Sequence, residues 1–355
     1  MDNNEFFEEY RKLKLNEILN DCRENANVVD MFVKADSIIN NPKYKSILCS
    51  ISGGADSDVM LDALTKLDHK HKITYIFFNT GLEYKATKEH LDYLEDKYGI
   101  KILRERAIKP IPQCCKEFGQ PFLSKRVSDM MERLQNSGFK WEDEDFDTLY
   151  ARYPNCRSAL RWWCNDWNGK HVQEYGYSMF NINYNKGLKE FIVQNPPTFK
   201  ISAQCCSWAK KKVSKAYIKK HKIDLLIIGV RKAEGGARSS AYKNCFDPKN
   251  SHHAYDNYRP IFWFTDADKK WYDEHFGIVH SACYTKWGFK RTGCVGCPYN
   301  RRIEDEISVV EKQEPNMYKA INNIFKESYE YTKQYKKFQK ELKEQTKHPN
   351  RKPLF

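Results

Sequence analysis

The sequence predicts an α/β protein built on a parallel twisted sheet, with an aromatic insertion and a helical C-terminal region. Short apolar runs at Ser46 to Ser50, Ile73 to Phe78, Ile100 to Arg104 and Ile223 to Val230 alternate with stretches of helical apolar spacing. That alternation is the pattern of parallel strands joined by right-handed crossover helices. A glycine-rich turn, Ser52-Gly53-Gly54-Ala55-Asp56-Ser57, lies between the first run and the helix after it. With 355 residues, 41% hydrophobic and 14% aromatic, the chain can bury a large core and is too apolar for global disorder.

From Asn3 to about Asn41, Phe6, Tyr10, Leu13, Ile18, Val28, Phe32 and Ile38 recur at broadly helical spacing before Pro42. Residues 1–44 therefore read as an N-terminal helical cap. Residues 45–265 read as a nucleotide-binding α/β domain: strand, glycine turn, helix from about Val59 to Leu67, then a second strand ending at Asn79-Thr80-Gly81. A helix from about Glu83 to Tyr98 leads to the third strand. Residues 116–198 interrupt the sheet with Trp141, Trp162, Trp163 and Trp167, leave it at Pro196-Pro197, and are expected to shape part of a substrate pocket. The strand near Ile223 to Val230 follows a lysine-rich helix. Residues 266–355 leave the sheet, pass through Cys294-Val295-Gly296-Cys297 and continue as a helical stretch with one apolar face. The last eight residues read as a frayed basic tail.

Composition narrows the function. No apolar run approaches the roughly 20 residues of a spanning helix, and the first residues are acidic rather than basic and then apolar, so a membrane protein or a signal peptide is not expected. The expected compartment is the cytoplasm. Twelve cysteines in a reducing compartment need a reason other than disulfides, and metal or sulfur chemistry supplies one.

A glycine turn between a buried strand and a helix aims successive backbone N–H groups at one point, at the positive end of the helix dipole. Gly53 and Gly54 permit close approach, and the Ser52 and Ser57 hydroxyls can donate to phosphate oxygens. Asp56 would repel a phosphate, so its expected duty is to orient the loop or to reach Mg²⁺. Neither GxxxxGK[ST] nor GxGxxG occurs, which excludes a Walker NTPase and a dinucleotide-binding Rossmann site. The string SGGADS after a strand resembles the PP-loop of the ATP pyrophosphatases, a superfamily that includes the phosphoadenosine phosphosulfate (PAPS) and adenosine phosphosulfate (APS) reductases. Further segments resemble that family in order. Asn79-Thr80-Gly81 is similar to its LDTG segment, with Asn in place of Asp. Gly229-Val230-Arg231-Lys232-Ala233-Glu234 is similar to G-x-R-x-x-E-S, with Gly235 in place of Ser, and Tyr258-Arg259-Pro260-Ile261 with Trp263 and Asp266-Ala267-Asp268 is similar to R-P-I…W…D-x-D. The resemblance implies an adenine nucleotide alpha hydrolase-like fold. It also implies nucleotide contacts from Ser52, Gly53, Gly54, Asp56, Ser57, Thr80, Gly81, Arg231 and Glu234, with Asp56, Arg231 and Arg259 in the chemistry. A guanidinium forks onto tetrahedral oxyanions, which makes Arg231 and Arg259 physically sensible ligands.

Cys294-x-x-Cys297, set among Gly293, Gly296 and Pro298, has knuckle spacing that points two thiolates at one metal. The spacing leaves zinc, iron–sulfur and a redox pair open. The partner pair is Cys205-Cys206 or Cys114-Cys115, with Cys156, Cys164, Cys245 and Cys283 as singles. Cys205-Cys206 before a lysine cluster and a distant CxxC resembles the CC…CxxC arrangement that holds a [4Fe-4S] cluster in APS reductases. That resemblance implies Cys205, Cys206, Cys294 and Cys297 as ligands, zinc as the alternative metal, and Cys283 as the nearest substitute. No cysteine follows Cys297, so the C-terminal nucleophile of the sulfonucleotide reductases is missing and the chain is more similar to cysteine-tailless, DndC-like members.

The stretch Lys200 to Lys243 carries twelve Lys or Arg against two acidic residues, a field suited to a nucleotide or a nucleic-acid backbone. The expected function is a PP-loop enzyme that binds ATP or an adenylyl sulfate-type nucleotide, releases pyrophosphate and transfers sulfur to an acceptor such as nucleic acid. Its expected partners also include a thiol reductant or sulfur-donor protein. The first alternative is PAPS or APS reduction with a thiol borrowed from Cys245, Cys283 or another protein. The second is a non-catalytic nucleotide- or nucleic-acid-binding regulator.

Overall fold

The computed structural model describes residues 3–167, 173–174, 180–235, 241–251 and 254–347; the basic tail expected over 348–355 lies outside them. The chain divides into two compact units, residues 1–108 with 209–293, and residues 109–208 with 294–355.

The first unit is an α/β sheet domain. Its strands are β1 (Ile47–Ser50), β2 (Ile73–Asn79), β3 (Ile102–Arg106), β4 (Leu225–Ile228), β5 (Phe246–Asp247) and β6 (Asp256–Tyr258), in the order β3-β2-β1-β4-β6-β5. All neighbours are parallel except β5, which runs antiparallel to β6 at the edge. Ile47 is opposite both Ile73 and Leu225, so β1 lies at the centre. The chain turns from β1 toward β2 on one side while β4 flanks it on the other. This is the switch point at which open α/β sheets take ligands, outside the carboxyl ends of the strands.

Strand periodicity sorts the core. Ile47 and Cys49 pack with Val28, Phe32, Leu61 and Leu64 on one face, while Leu48 and Ile76 meet Ile218, Ile223 and Leu226 on the other. The helices on the first face are α1 (Asn3–Asp21), α2 (Ala26–Ile39) and α3 (Ala55–Leu67), and α4 (Lys85–Tyr98) joins β2 to β3. The expected N-terminal helix is thus two helices, because Asn25 turns extended and its side chain accepts from the Val28 amide at 3.2 Å. These helices share the sheet's core, so the chain does not part at 44/45.

The second unit has its own aromatic core. Phe122, Trp162, Trp163 and Phe191 pack with Tyr331 and Tyr335, with the Phe122 and Tyr331 rings 4.9 Å apart. The insertion and the C-terminal helices therefore fold as one body, and no boundary falls at 265/266. The expected C-terminal helix is three, Ile303–Gln313, Pro315–Ile324 and Lys326–Lys347. Pro315 accounts for the first break, since it lacks an amide and restricts Glu314 before it. Among the described residues no helix is long and apolar enough to cross a membrane.

Candidate functional site

The glycine turn leaves β1 at Ser50, and Gly53 takes a left-handed φ of +65°. A Cβ there would stand 2.8 Å from Thr87 Cγ2 on α4, so the position is closed to side chains by conformation and by space. Gly54 is the N-cap of α3 and supplies no side-chain cap of its own. The two serines brace the turn: Ser57 Oγ accepts from the Ser52 amide at 3.0 Å and Ser52 Oγ from the Gly54 amide at 3.3 Å. Each hydroxyl acts there as an acceptor, which still leaves its O–H to donate to an anion.

A cavity of about 1030 Å³ opens over this turn, at the upper limit of small-ligand pockets. Ser52, Gly54, Asp56, Ser57, Arg231 and Glu234, named above as nucleotide contacts by resemblance, line it together with Ala55. So do Lys210, Lys211, Lys269, Lys290 and Arg291, which with Arg231 outnumber the carboxylates of Asp56, Glu83, Glu234 and Asp266 in the wall. Arg231 is 8% exposed and bridges two carboxylates, Nε to Asp56 Oδ1 at 2.8 Å and Nη1 to Asp266 Oδ1 at 2.8 Å. Burial works against its charge, but the contacts with Asp266 and Asp56 outweigh it and raise its pKa. Asp56 therefore orients the loop through Arg231.

Gly53 is not in the cavity lining, and neither are Thr80, Gly81 and Arg259. Thr80 is fully buried and donates to Glu83 through both its amide and its hydroxyl. Gly81 donates to Asn79 Oδ1 at 2.9 Å, an Asx turn that uses the Asn found in place of Asp. Neither residue lines the cavity; Glu83 does. Arg259 is also fully buried. Its guanidinium bonds to Asn244 O and Asp247 and lies 4.2 Å from the Tyr242 ring centroid, and it is Tyr242 that reaches the cavity wall. Arg259 thus supports the wall and does not face a ligand there.

The far wall was not legible from the motifs. Tyr284 Oη lies 2.8 Å from Thr292 Oγ1 and takes hydrogen bonds from the Thr292 and Ala55 amides. It is the nearest atom, at 3.1 Å, to a Cβ built on Gly54. The basic pair Lys290-Arg291 was the one sequence signal in this stretch.

The expected sulfur ligands all lie in the second unit. Cys205 and Cys206 end the single turn Gln204–Cys206, and a π-helical turn, Ser207–Lys211, follows. Such turns recur at functional sites. Cys294 and Cys297 share a tight turn in which the Cys297 amide donates to Cys294 O at 3.2 Å. Gly296, at φ +63°, is enclosed, with Tyr329 Oη only 2.5 Å and Ile321 Cδ1 2.6 Å from a built Cβ. Its amide donates to buried Glu306 at 2.7 Å. Cys115 joins the group from the helix Ile111–Phe118. That helix is held there because the Gln120 amide donates to Lys200 O at 2.8 Å and the Ser202 amide to Gln120 O at 3.0 Å. Cys283, the substitute favoured by position in the sequence, is instead in the first unit, buried 4.0 Å from Thr87 Oγ1.

The thiols perturb one another. Burial, and next the charge of Cys294, push the Cys297 thiol up to about 12. Burial and then the charges of Cys114, Cys297, Cys206 and Cys294 push Cys115 up to about 12. Cys205 is raised further, by its hydrogen bond with Cys206, by burial and by Cys206, Cys115 and Cys297. Buried thiols that also raise one another's pKa form a donor set that a cation would stabilise. A single zinc needs its sulfurs about 2.3 Å from one point, and among the described residues no group of three or more His, Cys, Asp or Glu side chains is arranged to hold a metal ion.

Residues 46–134 match the phosphoadenosine phosphosulfate reductase domain. An uncharacterized protein of Methanocaldococcus jannaschii is 35% identical over 103 residues, which cover 28% of this chain and 21% of that one. Among solved structures, PAPS reductase from Candida auris in a phosphate complex is 12% identical over 79% of this chain and 93% of that chain, with a TM-score of 0.40. The U34-tRNA thiolase NcsA of Methanococcus maripaludis, solved with its [4Fe-4S] cluster, is 13% identical over 87% of this chain and 80% of that chain, with a TM-score of 0.35. FMN adenylyltransferase from Candida glabrata, with FAD and inorganic pyrophosphate, is 10% identical over 80% and 72%, with a TM-score of 0.41.

Proposed function

We propose that this chain, which carries a phosphoadenosine phosphosulfate reductase domain over residues 46–134, is a nucleotide-dependent sulfur-transfer enzyme of the PP-loop class. The observation that carries the reading is the glycine turn before α3, whose N-cap Gly54 supplies no side-chain cap and which opens on a cavity of about 1030 Å³ with an excess of basic over acidic groups in its wall. The backbone amides of the turn and the Ser52 and Ser57 hydroxyls bind the phosphates of ATP or an adenylyl sulfate-type nucleotide. Lys210, Lys211, Lys290 and Arg291 offset charge as the phosphates part, and donors fixed in advance are where such catalysis gains most. Arg231, held between Asp56 and Asp266, keeps the turn and the β4 loop in register. With ATP, an acceptor oxygen attacks the α-phosphorus and pyrophosphate leaves; a sulfide-level sulfur nucleophile from a donor protein then attacks the activated acceptor carbon and AMP leaves with the oxygen.

Cys205, Cys206, Cys294 and Cys297, with Cys115 beside them, would hold the [4Fe-4S] cluster. Bound there, it would supply sulfur-handling or electron-transfer chemistry. The reductase alternative loses one of its substitute nucleophiles, since Cys283 is fully buried.

Anaerobically purified protein, given ATP and candidate acceptors including RNA and DNA, is expected to release pyrophosphate. Sulfite release from a labelled sulfonucleotide, without pyrophosphate from ATP, would establish the reductase reading instead. Tight nucleic-acid binding with neither product would establish a regulator.

A further inference from the structure

Asp58, in the first turn of α3, points away from the cavity and is fully buried. Its Oδ2 lies 2.8 Å from His280 Nδ1. His90 Nε2 on α4 is 3.0 Å from the same oxygen but forms no hydrogen bond, and Asp58 Oδ1 has no hydrogen-bond partner. His280 therefore carries the compensation of this carboxylate. The other ring nitrogen, Nε2, lies 3.1 Å from Asp273 Oδ2 and 3.2 Å from Lys269 Nζ, and Lys269 is itself paired with Asp273. The Tyr284 ring lies 6.1 Å from the imidazole. His280 and Lys269 both reach the cavity wall.

His280 sits between two carboxylates, with Nδ1 hydrogen-bonded to Asp58 and Nε2 at ion-pair distance from Asp273. Lys269, 3.2 Å from Nε2, donates to Asp273, so a proton on each ring nitrogen lets His280 serve both carboxylates as a cation. Burial opposes its charge, but the hydrogen bonds to Asp273 and Asp58 outweigh burial and raise its pKa to about 9. With His280 protonated, it and Lys269 balance Asp58 and Asp273. Once it loses the proton, the cluster behind the phosphate turn holds an uncompensated negative charge.

We propose that His280 is a positioning and charge-balancing residue for the phosphate turn, so that polyphosphate binds well only while the four-residue cluster of Asp58, His280, Asp273 and Lys269 is neutral. This rests on the reading of the cavity as a polyphosphate site. The test titrates binding of inorganic pyrophosphate and of ATP to the full-length protein by calorimetry between about pH 7 and pH 10. Affinity is expected to hold to about pH 8 and to fall roughly tenfold by pH 10 as His280 deprotonates. His280→Gln is expected to bind roughly tenfold more weakly at neutral pH and to show no step near pH 9. Should that variant fail to fold, histidine NMR of the unaltered protein decides. One of its ten histidines should titrate near pH 9 and move upward by about one pH unit with saturating pyrophosphate, as reciprocal linkage demands. Binding that shows no step, or a titration that pyrophosphate does not move, overturns the role of His280 and leaves the polyphosphate reading standing. No binding at neutral pH overturns that reading, and this one with it.

Discussion

Arg231 holds two carboxylates of unequal standing: Asp56 is 14% exposed and Asp266 is 87% exposed. An exposed ion pair contributes about 1 kcal/mol at most, whereas removing the partner of a largely buried charge costs about 2 kcal/mol or more. Asp56→Asn is therefore expected to lower the urea midpoint clearly and Asp266→Asn to leave it almost unchanged; equal losses would contradict the pivot assigned to Arg231. His280 makes a second prediction, on stability against pH. Its folded pKa, about 9, stands above the ordinary histidine value of 6.5, so its contribution is fully present below about pH 6.5 and is lost as pH rises through 9. The shift corresponds to about 3 kcal/mol. The urea midpoint of the unaltered protein should fall over that window, and that of His280→Gln should be flatter. Among the sulfurs, Cys297→Ser should lose iron on anaerobic reconstitution and Cys283→Ser should retain it. Cys115→Ser tests the ligand set, since iron lost there and kept in Cys206→Ser would put Cys115 in the place of Cys206.

At the scale of elements, the phosphate turn is a strand, two glycines and a helix, and one substitution separates its two constraints. Gly53→Ala meets a left-handed φ, which costs about 1 kcal/mol, and also the Thr87 methyl at 2.8 Å. Thr87→Ser removes that methyl. The Gly53→Ala/Thr87→Ser pair should recover the steric part of the loss in thermal melts and keep the conformational part, whereas purely additive losses would show that Thr87 is not the obstacle. The turn was readable in the sequence because it is local. Apolar runs of strand length bound it, and the order of later motifs supplied the β4 loop. The opposite wall was not readable, because Lys269, His280 and Tyr284 come from a segment more than 200 residues downstream with no local pattern that names them. The same reason hid Thr80 and Arg259. Their motif positions were correct, but whether a side chain faces a ligand or a neighbour such as Glu83 or Asp247 is decided by packing. β5 and β6 escaped notice because two and three residues are too few to show a period.

Over the whole molecule, the excess of basic residues is concentrated, and this decides how an acceptor would be recognised. The net charge is +13, and the helix Lys212–Lys220 with its neighbours exposes Lys211, Lys215, Lys219 and Lys220 to solvent. Division into units by sequence alone failed because an amphipathic C-terminal helix does not announce its partner. Tyr331 and Tyr335 settle against Phe122 and Phe191, roughly 140 to 210 positions earlier in the chain. Charge is easier to read, since it needs no partner to be located. If the acceptor is a nucleic acid, these lysines meet its phosphates and release counterions, so affinity should fall steeply as salt rises. Replacing Lys215 and Lys219 together by Gln should lower the slope of log affinity against log salt by about two and weaken binding to unrelated sequences alike. ATP binding, which uses the phosphate turn, should be unaffected in the same variant. A salt slope that survives the double replacement would move the acceptor to another face of the protein. Loss of ATP binding together with the slope would show instead that the helix serves the nucleotide and not a polymer.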